Sequence, residues 1–286
     1  MRVLVTGARG QLGTELVREL GDHDVTGVDR NTLDVTRRHD VLACLTGLRP
    51  DVVVHAAAWT QVDACELDPD RAWATNALAT RHVAEGARLV GARVCYVSTD
   101  YVFDGTLDRP YTEWDQTHPL SVYGASKLGG ELELGPEDTA VRTSWLCGRH
   151  GANFVTAILD RARTVLAAEG PRVLQVVDDQ WGCPTFAADL AAMIARLVTE
   201  RRPGTFHVTN QGETTRYGFA RAILAAAGLD PGVVTPVTTA ELVPPPPAPR
   251  PASATLDNAA LRLSGMELLD DHHGPLERLV KELAGR

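Results

Sequence analysis

A short apolar run, Arg2–Val5, is followed at once by Thr6-Gly7-Ala8-Arg9-Gly10-Gln11-Leu12-Gly13 and then by a helical pattern from Leu12 to Leu20. Strand, glycine-rich turn and helix in that order open a dinucleotide-binding unit, here with the spacing G-x-x-G-x-x-G rather than G-x-G-x-x-G. Gly7 permits the tight turn, Gly10 lets the backbone approach a pyrophosphate, and Gly13 lets the helix pack on the strand. The helix N-terminus then offers unpaired N–H groups and a positive dipole end to phosphates.

The rest of the chain continues the pattern. Asp24–Val28 reads as a second strand ending at Asp29-Arg30. An acidic residue about 20 positions past the first glycine accepts hydrogen bonds from ribose hydroxyls. Arg30 beside it suits a ribose phosphate instead, so both NADH and NADPH remain open. Asp34-Val35 is expected to start another helix, at the adenine edge. Val52–Val54 is wholly apolar, as a central parallel strand covered on both faces should be. It leads into His55-Ala56-Ala57-Ala58-Trp59-Thr60, whose small side chains let a cofactor approach; His55 itself reads as structural. Pro69–Val90 is helical with Asn76 inside it, either a polar core residue or a link to the active site.

Val94–Val97 forms the next strand and delivers Ser98-Thr99-Asp100-Tyr101 to its carboxyl end, where ligands of open α/β sheets bind. Thr99 stands 24 residues before Tyr123 (123 − 99), with a loop rich in Pro, Asp and Thr between them. Tyr123-Gly124-Ala125-Ser126-Lys127 opens a helix, and its first and last members share one face, about 5–6 Å apart at Cβ. A cation there is expected to pull the phenol down from its ordinary pKa of about 10, toward the range of useful proton exchange. Ala140–Ser144 is read as the sixth strand. Alternating strands and helices imply an α/β fold, a doubly wound parallel Rossmann-type sheet with a smaller C-terminal substrate-binding domain. The expected division is 1–145 for the cofactor domain, with 182–209 returning to it, and 146–181 plus 210–286 for the smaller domain. Beyond Trp145 the expected elements are helices over Asn153–Ala168, to about Val198, over Tyr217–Ala227 and from Gly274, and strands at Val173–Val177 and Thr205–Val208. Pro244–Pro247 reads as a stiff connector.

Composition narrows the partners. A net charge of −9 without a long basic run argues against nucleic acid or an anionic membrane surface. No apolar run approaches the roughly 20 residues needed to span a bilayer. The five cysteines are scattered with no C-x-x-C pair, which excludes a disulfide framework or zinc site and fits a reducing cytosol. With a strand starting at Arg2, no signal peptide is expected, and the chain reads as cytoplasmic.

Together these motifs resemble the extended short-chain dehydrogenases/reductases, and within them the dTDP-4-dehydrorhamnose reductase family, over nearly the whole length. The resemblance rests on Gly7–Gly13 with Gln11-Leu12, Ala56–Thr60 with Val62-Asp63 and Glu66, and Ser98–Asp104. It extends through Val122-Tyr123-Gly124, Arg142–Trp145 and Asp179–Thr185. It implies NADPH or NADH reducing the ketone of a dTDP-4-keto-6-deoxyhexose. Tyr123 would protonate the carbonyl oxygen, Thr99 would hydrogen-bond it, and Lys127 would lower the tyrosine pKa and hold the nicotinamide ribose. Cofactor contacts are implied at Gly7, Gly10, Gln11, Leu12, Gly13, Asp29, Arg30, Asp34, Val35, Ala56, Ala57, Ala58, Thr60, Tyr123 and Lys127. Thr99, Asp100, Tyr101, Trp145, Asn153, Gln180 and Arg250 would frame the sugar nucleotide, though Trp145 suits the core equally. Related 4,6-dehydratases carry Asp-Glu after the threonine. Here Tyr101 follows Asp100, so elimination is disfavoured and reduction remains. The alternatives are a reductase of a different dTDP-4-keto-deoxysugar in secondary metabolism and a catalytically silent NADP-binding regulator, the latter opposed by the retention of Thr99, Tyr123 and Lys127. Some members of the resembled family dimerise through a glutamate-bridged metal; Ala188 stands at the aligned position, beside Asp189. That implies no metal, and a monomer or weak homodimer.

Overall fold

The computed structural model describes residues 1–169 and 172–285. Six strands form one sheet in which every pairing is parallel: β1 (Arg2–Thr6), β2 (Asp24–Val28), β3 (Val52–His55), β4 (Arg93–Thr99), β5 (Thr139–Thr143) and β6 (Gly204–His207). Their order across the sheet is β6-β5-β4-β3-β1-β2. Ala140–Ser144 is therefore the fifth strand, not the sixth, because no extra strand intervenes between β4 and it. The sixth is β6, which returns from beyond residue 200 to pair with β5. The order reverses between β1 and β3, so their carboxyl ends diverge and leave the crevice in which such folds bind ligands.

Helices α1 (Gln11–Glu19) and, much later, Ala187–Thr199 cover one face of the sheet. On the other face lie α2 (Arg38–Leu48) and α3 (Ala79–Val90). The buried Val52, Val53 and Val54 of β3 serve both cores, which explains its unbroken apolar run. Helix α2 starts at Arg38, so Asp34-Val35 does not begin it. The Asp34 carboxylate instead accepts from the Thr36 N–H (3.0 Å) and hydroxyl (2.7 Å), closing a side-chain turn before the helix.

A separate core joins helices Phe154–Ala167, Arg216–Ala226 and His273–Ala284 to the parallel pair Leu174–Val177 and Val234–Val237. The segment between Pro69 and Val90 is helical throughout, with one π-turn at Ala74–Leu78. That turn aims Asn76 at the loop after β3, where Oδ1 accepts from Trp59 N (2.8 Å). Nδ2 donates to Trp59 O (3.1 Å) and to Ser126 Oγ (3.0 Å). Asn76 is thus both buried and a link, tying the Ala56–Thr60 loop to the helix that carries Tyr123. No helix among the described residues is long and apolar enough to cross a membrane.

Candidate active site

Helix α4 (Val122–Glu131) begins at Ser121, whose hydroxyl caps the Gly124 N–H at 3.1 Å. Its first turn lies against the end of β4 so closely that a Cβ on Gly124 would stand 2.1 Å from the Tyr101 carbonyl oxygen. Only glycine allows this approach, and it sets the Tyr123 phenol beside Thr99 and edge-on to Tyr101, ring centroids 5.9 Å apart.

The phenol and the ammonium of Lys127 share a helix face, but the expected electrostatics are not what the geometry gives. Lys127 is 2% exposed. Its Nζ donates to the Val97 carbonyl at 2.6 Å and lies 4.1 Å from the Tyr96 ring centroid. A buried cation needs an acceptor, and the carbonyl and the ring face supply it. Burial depresses its pKa to about 7, against the opposing charge of Glu131. Burial also pushes the Tyr123 phenol up rather than down, with the hydrogen bond to Thr99 opposing. At neutral pH the tyrosine therefore holds its proton, as a donor must. His55 is fully buried, with Nδ1 2.7 Å from Thr6 Oγ1 and its pKa depressed to about 3 by burial and Lys127. It is a neutral structural residue.

Two adjoining cavities run along the crevice. The first, about 670 Å³, is walled by Gly7, Gly10, Asp29, Arg30, Asp34, Val35 and Ala56–Ala58. The second, about 380 Å³, shares Gly7, Gly10, Ala56 and Ala58 with it and adds Gln11, Leu12, Gly13, Thr60, Thr99, Asp100, Tyr123, Lys127, Trp145 and Asn153. Together they bring every expected cofactor residue to one trough. The fit to a dinucleotide is tested at Gly7, which adopts φ +68° and whose Cβ would stand 2.9 Å from Ala57 Cα. The residues shared by the two cavities, Gly7, Gly10, Ala56 and Ala58, carry nothing larger than a methyl, which leaves room for the close approach a pyrophosphate requires. Asp29 is less free than expected. Oδ1 accepts from Asn31 N (2.9 Å) and Thr32 N (3.1 Å), and Oδ2 pairs with Arg9 Nε at 2.8 Å. Although partial burial opposes them, these contacts hold its carboxyl below the ordinary range.

Past Asn153 the trough meets a third cleft of about 640 Å³ that includes Gln180, Arg250, Arg161 and Arg216 in its wall. The expected substrate residues divide here. Asn153 caps the helix Phe154–Ala167 through Thr156 and donates to Gln11 Oε1 (3.0 Å) and Gly148 O (2.7 Å), so its amide is engaged. Arg250 forms a fork on Asp63, at 2.9 and 2.7 Å. Gln180 donates to Thr239 Oγ1 at 3.0 Å. Trp145 takes the left-handed conformation (φ 43°), a strained choice for its type, and its ring carries the Arg216 guanidinium at 3.6 Å. Arg216 also bonds Tyr101, and no carboxylate among the described residues forms an ion pair with it. Sequence reading missed Arg216, because it belongs to no motif and its place is set by the fold.

The family model for the RmlD substrate binding domain matches residues 1–284. The chain belongs to the dTDP-4-dehydrorhamnose reductase family. It is 41% identical over 297 residues to dTDP-4-dehydrorhamnose reductase of Streptomyces griseus, covering 100% of this chain and 95% of the relative. Against dTDP-4-keto-6-deoxy-D-glucose reductase of Streptomyces niveus it is 43% identical over 243 residues, 82% of each. Among solved structures, dTDP-4-dehydrorhamnose reductase of Bacillus anthracis in complex with NADP superposes with a TM-score of 0.91 at 38% identity, covering 98% of this chain and 99% of that one.

Proposed function

We propose that this chain uses NADPH or NADH to reduce the 4-keto group of a dTDP-4-keto-6-deoxyhexose, with dTDP-4-dehydrorhamnose as the first substrate to test and dTDP-L-rhamnose as its product. The observation that carries the reading is the position of Thr99 and Tyr123. They line the dinucleotide trough, which runs on at Asn153 into a cleft bearing three arginines. The nicotinamide, when bound, supplies hydride. The Gly7–Gly13 backbone would hold the pyrophosphate, and Lys127 would hold the nicotinamide ribose. Tyr123 gives its phenolic proton to the carbonyl oxygen as that oxygen gains charge, and Thr99 donates a second hydrogen bond there. Lys127, with its pKa near neutrality, is the cation available to stabilise the phenolate left behind.

The diphosphate is assigned to Arg216 and Arg161, since Arg250 is already spent on Asp63. Gln180 and Trp145 frame the sugar. Residues 146–181 and 210–286 are proposed to form the substrate-binding part, with 1–145 and 182–209 forming the cofactor part. The five thiols are all unpaired, which supports a cytoplasmic location.

The 43% identity to a dTDP-4-keto-6-deoxy-D-glucose reductase favours a second reading, in which the ketone belongs to a different 6-deoxysugar. A panel of dTDP-4-keto-sugars, each with NADPH and NADH, decides between them. We expect turnover with dTDP-4-dehydrorhamnose and less than about a thousandfold difference in kcat/KM between cofactors, since Asp29 and the arginines beside it suit both ribose forms. No turnover of any 4-keto sugar would overturn the reading in favour of a silent cofactor-binding homologue.

A further inference from the structure

Asp100 was expected to touch the sugar, but its carboxyl is 2% exposed and both oxygens are occupied by protein hydroxyls. Oδ1 accepts from Thr99 Oγ1 at 2.9 Å, and Oδ2 accepts from Ser144 Oγ at 2.6 Å. Ser144 in turn receives the Cys183 N–H at 3.4 Å, so the carboxyl joins the ends of β4 and β5 to the turn beyond them. Among the described residues no lysine, arginine or histidine forms an ion pair with it. A buried carboxyl without an ion-pair partner is costly to keep charged, and its two hydroxyl donors offset only part of that cost.

Thr99 has one hydroxyl proton. While that proton points at Asp100, the oxygen only accepts, as it does from the Tyr101 N–H at 3.3 Å. A threonine so bound cannot donate to a reacting carbonyl. If Asp100 carries a proton, it donates to Thr99, and the threonine hydrogen is released toward the site. We propose that Asp100 is a positioning residue whose carboxyl sets the direction of the Thr99 hydroxyl, its protonated form being the one in which Thr99 donates to substrate.

The groups around it come from four elements. Arg216 approaches from the helix Arg216–Ala226, Tyr101 follows in the chain, Tyr123 faces it from α4, and Cys183 faces it from the turn. Burial outweighs the two hydroxyl donors and the Arg216 charge, pushing the carboxyl up to about 6. The sign follows: above that value Asp100 is charged and holds the Thr99 proton, and below it the proton is free for substrate.

The inference rests on the ketoreductase reading, so its test has one arm that needs no turnover. In the apo-protein, carbon-13 titration of the Asp100 carboxyl should show a midpoint near 6. Ser144→Ala and Thr99→Val, each removing a donor to the carboxylate, should both raise it. A midpoint at the ordinary aspartate value, unmoved by either change, would overturn the coupling. In the second arm, wild-type kcat with a dTDP-4-keto sugar should fall by about tenfold or more as pH rises through that midpoint, the order expected for losing one oxyanion donor. Asp100→Asn, which cannot ionise, should lose this limb. Asp100→Ala should flatten the profile as well, with kcat below wild type at low pH because nothing aims the Thr99 hydroxyl, and KM for the sugar nucleotide moving less than about threefold. A raised KM with the wild-type pH profile kept in Asp100→Asn would make the carboxyl a substrate contact and sink the proposal. A wild-type chain inactive on every 4-keto sugar would remove the ketoreductase reading, while the carboxyl titration would still decide whether Asp100 governs Thr99.

Discussion

Tyr123 and Lys127 show how far a spacing rule reaches. Four residues apart on a helix, they share a face, but what each side chain meets is set by β4, some 30 residues away: Lys127 donates to the Val97 carbonyl. Burial sets both pKa directions first, with the Asp100 charge adding to the rise at Tyr123, and a tyrosine that keeps its proton suits reduction. Tyr123→Phe should retain the ring contact with Tyr101 and lose about 10²–10⁴ in kcat, the usual worth of general acid catalysis. NADPH titration should show cofactor binding unchanged, because the Gly7–Gly13 loop lies elsewhere. Lys127→Met should lose turnover and also weaken NADPH binding, whereas Thr99→Val should lower kcat with a smaller effect on the cofactor. A Tyr123→Phe enzyme keeping more than about a tenth of wild-type kcat would take the tyrosine out of the proton path.

At the scale of elements, strands β1, β3 and β4 were legible because each is a short, largely apolar run that leads into glycine, alanine or hydroxyl residues at the sheet's carboxyl edge, while β2 runs into Asp29-Arg30. The turn before α2 was not, since Asp34 is as good a side-chain turn former as a helix starter, and only its bonds to Thr36 decide. Arg216 was illegible for a different reason: its meaning is the Trp145 face it stacks on, 71 residues earlier (216 − 145). Helix α4 offers a test of its own. In Gly124→Ala the new methyl would meet Tyr101 backbone, which has no side chain to swing aside, so the first turn must move off β4. Such overpacking costs about 1–3 kcal/mol, and it separates Tyr123 from Thr99. Thermal melts should show the loss, and kcat should fall beyond what stability explains. Gly47→Ala is the control: it lies in α2 with nothing within 4 Å of a built Cβ, and should stabilise by about 0.5–1 kcal/mol. A Gly124→Ala chain with wild-type melting and kcat would mean the helix does not depend on that contact to place the tyrosine.

For the molecule as a whole, β6 and the helix Ala187–Thr199 return to the sheet while the chain on either side builds the other core, so the cleft is bounded by segments far apart in sequence. Two consequences bear on assembly. Ala188 at the start of that helix offers no ligand atom. Its neighbour Asp189 is engaged on both oxygens, accepting from Asn210 Nδ2 at 2.8 Å and pairing with Arg278 at 3.4 Å. A guanidinium beside the carboxylate puts positive charge where a bridging cation would have to sit, and like charges there oppose binding. The net charge of −9 adds repulsion between copies unless an apolar face offsets it. We therefore expect a monomer or a weak dimer by light scattering, with a mass that does not change when EDTA is added. Arg278→Ala, which frees one Asp189 oxygen, should leave the mass in plain buffer as it was. A mass that falls on adding EDTA to the wild-type chain would overturn this, and Asp189, freed by moving Arg278, would then be the first ligand to replace.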